Sequence, residues 1–169
     1  MIFLIINTLL YSKINLPKSF SAEFKQTVTT DKSKKIIYIG DIMFSSPSNF
    51  KWSYINPTQK EVCSDGRELL VVDHDLEQVS AYIIDNGLDL TRILKEAKPH
   101  HKMVYLAKYR GKSYTIGLNR RGELHSIAYR DDLDNIVSII FSSMKYSNSL
   151  IKSTKLKCNY PADYDYITQ

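Results

Sequence analysis

From Phe20 the chain alternates strictly: Phe20, Ala22, Phe24, Gln26 and Val28 fall on one side, Ser21, Glu23, Lys25, Thr27 and Thr29 on the other. That is the period of a half-buried strand and not of a helix. Asp31-Lys32-Ser33-Lys34 supplies a turn, and Lys35 to Phe44 reads as a second strand, broken by Ser45-Ser46-Pro47-Ser48. Phe50, Trp52 and Tyr54 alternate with Lys51 and Ser53, so a third strand puts its aromatics on one face. Asn56-Pro57 ends it. A strand around Val62-Cys63 follows, then Ser64-Asp65-Gly66, where Asp-Gly predicts a type I′ hairpin. Leu69 to Val72 completes that hairpin, and Val79, Ala81 and Ile83 mark a further strand.

One segment breaks the period. Leu90, Ile93, Leu94 and Ala97 have helical spacing, with Asp89 as N-cap and Pro99 as stop. Strands then return over Met103–Tyr109, Tyr114–Leu118, Leu124–Arg130 and Ile136–Phe141, with turns at Arg110-Gly111-Lys112, 119–122 and 131–135. A last strand is predicted near Lys155–Asn159. The sum is roughly ten strands with short turns and one or two helices, a mainly β (α+β) chain with an antiparallel meander. So large a sheet must curl. With few helices to cover it, the curved sheet with a partial lid leaves an apolar hollow, a ligand site by construction.

The length of 169 residues suits one domain with a real core. Residues 13–169 are taken as that domain. Ile2 to Leu10 is an apolar run too short to span a bilayer as a helix. With small Ser12 after it, 1–12 reads as a signal peptide lacking the usual basic start; the other reading is an amphipathic helix with Ile5, Leu9 and Leu10 inward. The net charge of +5 is scattered, and the clusters Lys32/Lys34/Lys35 and Arg120/Arg121 sit in turn-like sequence. No nucleic-acid motif accompanies them. Cys63 and Cys158 lie in strand-like runs. Two separate buried thiols are the expectation, with pairing in an oxidising compartment left open.

Candidate chemistry is sparse. His100 and His101 are adjacent and expected to point apart; with His74 and His125 they read as exposed loop residues, not metal ligands. Asp131, Asp132, Asp134 and Asn135 lack the central Gly and closing Glu of a calcium loop, so a polar hairpin turn is expected. Asp73, Asp75 and Glu77 read as a solvated cluster. There is no G-x-S-x-G, P-loop or G-x-G-x-x-G. The expectation is a protein that is not an enzyme, with no metal and no cofactor. What remains is apolar surface: Phe20, Phe24, Phe44, Phe50, Trp52 and Phe141 are rigid, large in area and able to contact a flexible chain.

The runs Phe20-Ser21-Ala22-Glu23-Phe24-Lys25-Gln26, Gly40-Asp41-Ile42 with Pro47, Phe50 and Trp52, and Ser64-Asp65-Gly66 with Leu69, Glu77 and Gln78 occur in an order and spacing that resembles the LolA family. The closing run from Lys157 to Asp165 is similar to that family's final strand and Pro-rich tail. The resemblance, in a compact form like that of ε-proteobacteria, implies an open, incomplete β-barrel with a helical lid over an apolar cavity, and a monomeric periplasmic carrier of lipoproteins. It would take their acyl chains from the inner-membrane LolCDE transporter and pass them to an outer-membrane acceptor, LolB where one exists. It implies an acyl-chain site formed by Phe20, Phe24, Ile42, Phe44, Phe50, Trp52, Leu69, Val71 and Phe141, with Ile93 and Leu94 on the lid, and it singles out Phe50. The alternative is a related lipid-binding or envelope-stress-sensing protein that delivers nothing. The sequence departs from the family in two places. Ser46 stands where an Arg often precedes the proline and tethers the lid, so closure here is expected to use other contacts. The family's N-terminal helix also looks short or absent, unless residues 1–19 supply it.

Overall fold

The computed structural model describes residues 13–83 and 90–168. Twelve strands form one sheet in the order β12-β6-β5-β4-β3-β2-β1-β11-β10-β9-β8-β7. The first half is a meander: β1 (Ser19–Thr29), β2 (Lys35–Ser45), β3 (Asn49–Asn56), β4 (Lys60–Ser64), β5 (Glu68–Asp73) and β6 (Gln78–Ile83). Helix α1 (Leu90–Glu96) follows. The second meander is β7 (Lys98–His101), β8 (Val104–Tyr109), β9 (Lys112–Leu118), β10 (Leu124–Arg130) and β11 (Ile136–Ser147). Eleven-residue β1 joins the halves, pairing β2 on one side and β11 on the other. The sheet ends on β12 and β7 and does not close, which is the predicted open barrel.

The alternation of β1 is realised as read. Phe20, Ala22 and Phe24 are buried on the concave face, where they meet Ile42, Phe44, Trp52, Ile127, Val137, Ile139 and Phe141. Helix α1 packs its own apolar stripe, Leu90, Ile93 and Leu94, into the same cluster. Seven residues are too few for a stable isolated helix, so burial of that stripe holds α1 in place. The predicted cap Asp89 and the apolar run at 1–12 lie outside the described residues.

The convex face carries a second core. Cys63, Val72, Val79, Ala81 and Leu156 are buried but stand apart from the concave cluster. The chain after β11 crosses this face as a strap. It begins where Ile151 N donates to Ser45 Oγ and runs over Lys51, whose Nζ donates to the Lys157 carbonyl. Glu61 then accepts from Asn159 N and forms a 2.7 Å ion pair with Lys51. The strap ends as β12 (Asp165–Thr168), hydrogen-bonded in parallel to β6.

Several expectations change here. Cys63 and Cys158 are a disulfide, with Cα atoms 5.7 Å apart and 95 residues between them in sequence, and are not separate thiols. Lys155–Asn159 is no strand: a 3-10 turn occupies Ser153–Lys155, and the final strand lies further on. The sheet is not wholly antiparallel, because β12 runs parallel to its neighbour. Of Asp65 and Gly66 only the glycine has a positive φ, +88°. The loop is thus not type I′; Asp65 Oδ1 instead accepts from the Arg67 and Glu68 amides. The histidines differ too. His100 and His101 belong to edge strand β7, and a register irregularity there brings their rings to 4.1 Å, not apart. His74 is half-buried with its Nδ1 3.2 Å from the Tyr164 hydroxyl. The turn at 131–135 is as expected, built on Asp131 accepting from Leu133 N, Asn135 N and Asn135 Nδ2.

Candidate functional site: an aromatic cavity beneath the helix

Register across β1, β2 and β3 lays the concave wall out in three rungs: Phe20–Phe44–Phe50, Ala22–Ile42–Trp52 and Phe24–Gly40–Tyr54. Phe20 and Phe44 stack with ring centroids 5.1 Å apart. The third rung needs its glycine. A Cβ on Gly40 would overlap the Ser53 carbonyl oxygen and press on the Phe24 ring. With no side chain there, Phe24 leans across and meets both Trp52 and Tyr54 edge-on, each at 5.1 Å. Phe141, opposite Phe24 on β11, completes the group at 6.1 Å from Trp52.

Between this wall and the helix lies a cavity of about 140 Å³, lined by Gln26, Ile42, Phe50, Trp52, Tyr54, Val62, Leu69, Leu90, Tyr129 and Ile139. The predicted site residues divide. Ile42, Phe50, Trp52 and Leu69 line the cavity. Phe20, Phe24, Phe44 and Phe141 pack behind or beside it, and Ile93 and Leu94 are fully buried under the helix. Val71, paired with Val62, is half-buried on the same face and lies outside the lining. Sequence reading left out Leu90, Val62, Tyr129, Ile139, Gln26 and Tyr54. Gln26 and Tyr54 continue the alternation of their strands onto the cavity side, which was the available signal.

Among the described residues the lining carries no charge and no nucleophile. Its polar end is one connected group: Tyr54 OH donates to Gln26 Oε1 at 3.0 Å. Burial raises the Tyr54 phenol well above its usual range, with Tyr129 and Tyr38 adding to the effect. Burial, with Tyr114, Asp131 and Asp132 nearby, pushes Tyr129 up to about 12. Both stay neutral donors at physiological pH. The arrangement can hold an apolar molecule and orient it with a few hydrogen bonds; it offers no base, acid or metal ligand for a reaction. Outside the cavity, Glu61, Cys63 and Cys158 have donor atoms within 4.8 Å of one another, but both sulfurs are bonded to each other and Glu61 is held by Lys51.

The helix is fastened at its first turn. Thr91 Oγ1 donates to the Pro47 carbonyl at 2.7 Å, directly after Ser46.

An outer-membrane lipoprotein carrier protein of Campylobacter jejuni is 34% identical over 98% of this chain and 95% of its own length. The chain belongs to the LolA family. The family model for the outer membrane lipoprotein carrier protein LolA matches residues 16–95, which hold the first meander and most of α1. The carrier of Wolinella succinogenes is 29% identical over 79% of this chain and 78% of its own. Among solved structures, a LolA-superfamily protein of Nitrosomonas europaea aligns at a TM-score of 0.52 and 12% identity, covering 86% of this chain and 93% of that one. A conserved protein of Thermus thermophilus aligns at 0.58 and 10%, covering 91% and 92%. These place the open barrel and its helical lid within the LolA fold.

Proposed function

We propose that this LolA-family chain is a periplasmic carrier that takes lipoprotein acyl chains into the concave cavity. It receives them from an inner-membrane LolCDE transporter and yields them to an outer-membrane acceptor, LolB or a substitute. The carrying observation is an uncharged aromatic cavity whose roof is a separate short helix. At about 140 Å³ it is smaller than the ~300–1,000 Å³ of ordinary ligand pockets. Leu90, Ile93 and Leu94 therefore occupy space that a guest needs, and α1 moves outward as cargo enters. Each CH2 buried contributes about 0.8 kcal/mol, and several such groups together offset the loss of the contacts that hold a short helix, its apolar stripe, the Thr91 hydrogen bond and Arg92 over the Tyr109 ring among them. A disulfide suits an oxidising compartment such as the periplasm.

Titration of the purified protein with a fluorescent apolar probe and with an acylated peptide tests the reading. Saturable binding with mutual competition is expected, weakened at least tenfold by Phe50→Glu, since a carboxylate there adds a buried charge. A folded sample that takes up neither ligand refutes it. Depletion in cells tests delivery: stranding of outer-membrane lipoproteins at the inner membrane is expected, and their normal sorting would leave a lipid-binding protein that delivers nothing.

A further inference from the structure

Trp52 is the middle residue of the aromatic strand β3 and is 6% exposed. Among the described residues, its indole Nε1 is the one buried side-chain nitrogen or oxygen without a hydrogen-bond partner. Leaving such a group unpaired is costly, and folded proteins do so rarely. Its surroundings explain the vacancy. Phe24 and Phe141 flank the ring and offer no lone pair. On the cavity wall, Gln26 Oε1 already accepts from the Tyr54 hydroxyl.

We infer that Trp52 Nε1–H is a specificity element that donates to the carbonyl oxygen at the head of a bound acyl chain. The inference rests on the carrier reading of the cavity and adds the chemical class of what is recognised. Indole is a donor only, so it discriminates by acceptor strength. An ester or amide carbonyl answers it; a methylene chain does not, and an ether oxygen answers it weakly. The site thus selects acyl over alkyl lipids and fixes the depth at which the chain stops, since the carbonyl must come level with the Ala22–Ile42–Trp52 rung.

The chain has one tryptophan, so a nitrogen–proton correlation spectrum shows a single indole signal. Three hexadecyl-length probes are titrated below their micellar concentrations: monopalmitoyl glycerol (ester), N-palmitoyl ethanolamine (amide) and 1-O-hexadecyl glycerol (ether). The ester and amide are expected to move the indole proton downfield, and the ether to leave it near its ligand-free position. Trp52→Phe, which keeps the ring and removes the donor, should weaken ester and amide binding by roughly tenfold and ether binding by less than about twofold. Equal shifts for all three probes, or equal losses on substitution, overturn the inference while leaving the carrier reading intact. Binding of none of the three overturns both. If Trp52→Phe does not fold, the wild-type spectra alone decide. A downfield shift with ester only, or amide only, supports the inference and identifies which linkage is read.

Discussion

Thr91 on the lid helix and Pro47 on the loop between β2 and β3 are 44 residues apart in sequence, and the hydroxyl of one donates to the carbonyl of the other at 2.7 Å. This contact joins the roof of the cavity to its wall, directly after Ser46. A neutral hydrogen bond contributes about 0.5–1.5 kcal/mol. A lid tied this way is lighter to lift than one held by a charge-assisted bond. Thr91→Val keeps the shape and removes the donor. The expected result is a two- to tenfold rise in the open population, seen as faster amide exchange at Ile93 and Leu94 and faster probe association. Unchanged exchange would show that the apolar stripe alone holds the helix.

The disulfide is expected to carry a large share of stability, because it closes a span of 95 residues. Chain-entropy reasoning gives about 4.7 kcal/mol for a span near 100 residues, and typical measurements about 2–4 kcal/mol. Cys63→Ser paired with Cys158→Ser should lower the denaturation midpoint accordingly. Exchange should rise first in the strap and β12, and later in β1 and β2. Simultaneous loss of protection in all of these would contradict the division into two cores.

Gly40 and Gly117 offer a matched pair. A Cβ at Gly40 meets backbone, the Ser53 carbonyl, whereas at Gly117 it meets the hydroxyl of Ser126, which can rotate away. Gly40→Ala is therefore expected to cost several kcal/mol, at the upper end for single substitutions, and Gly117→Ala well under half of that. Thermal unfolding of the two variants checks the order.

Acid should weaken the fold in a defined window. Burial acts to raise Asp73, but the Lys60 hydrogen bond and ion pair at 2.9 Å, with the Leu76 and Asp75 amides, outweigh it and hold the carboxyl below its usual value. At Asp131, burial is likewise outweighed, by Asn135 and Leu133 donors. A carboxyl lowered by folding stabilises the native state above its unfolded pKa, near 4, and that stability is lost as pH falls through the folded value. Urea midpoints should be insensitive to these groups between about pH 5 and 7 and fall below about pH 4. Asp73→Asn should lower the neutral midpoint slightly and flatten the acid slope. An unchanged slope would show that Asp73 plays no part.

How much of this was legible in the sequence depended on whether a segment buries one face against a regular neighbour. β1, β2 and β3 did, and their alternation predicted both the strands and the aromatic wall. The run from Leu156 to Cys158 also alternates, because the strap turns Leu156 toward the sheet and Lys157 away. It thus imitates a strand without the ladder. β12 exposes all four residues and has no pattern to read. β7, Lys-Pro-His-His, has no apolar face either and pairs only at the sheet's end. The disulfide joins points whose proximity exists only after the strap has crossed β1, β2 and β3 to reach β4. In the cavity, Ile42, Phe50, Trp52 and Leu69 coincide with residues singled out from the sequence, whereas Leu90, Val62, Tyr129, Ile139, Gln26 and Tyr54 hold their places by position and not by type.

The strap on the convex face has a consequence for the proposed carrier cycle, in which cargo enters by displacing the lid. When the lid lifts, the concave face loses packing and the energy that came with it. The opposite face, stapled by the disulfide and the Lys51–Glu61 pair, is untouched by that event and serves as ballast. Loading can then cost the protein its roof without costing it its shape, and an empty carrier between deliveries stays folded on the side that never meets cargo.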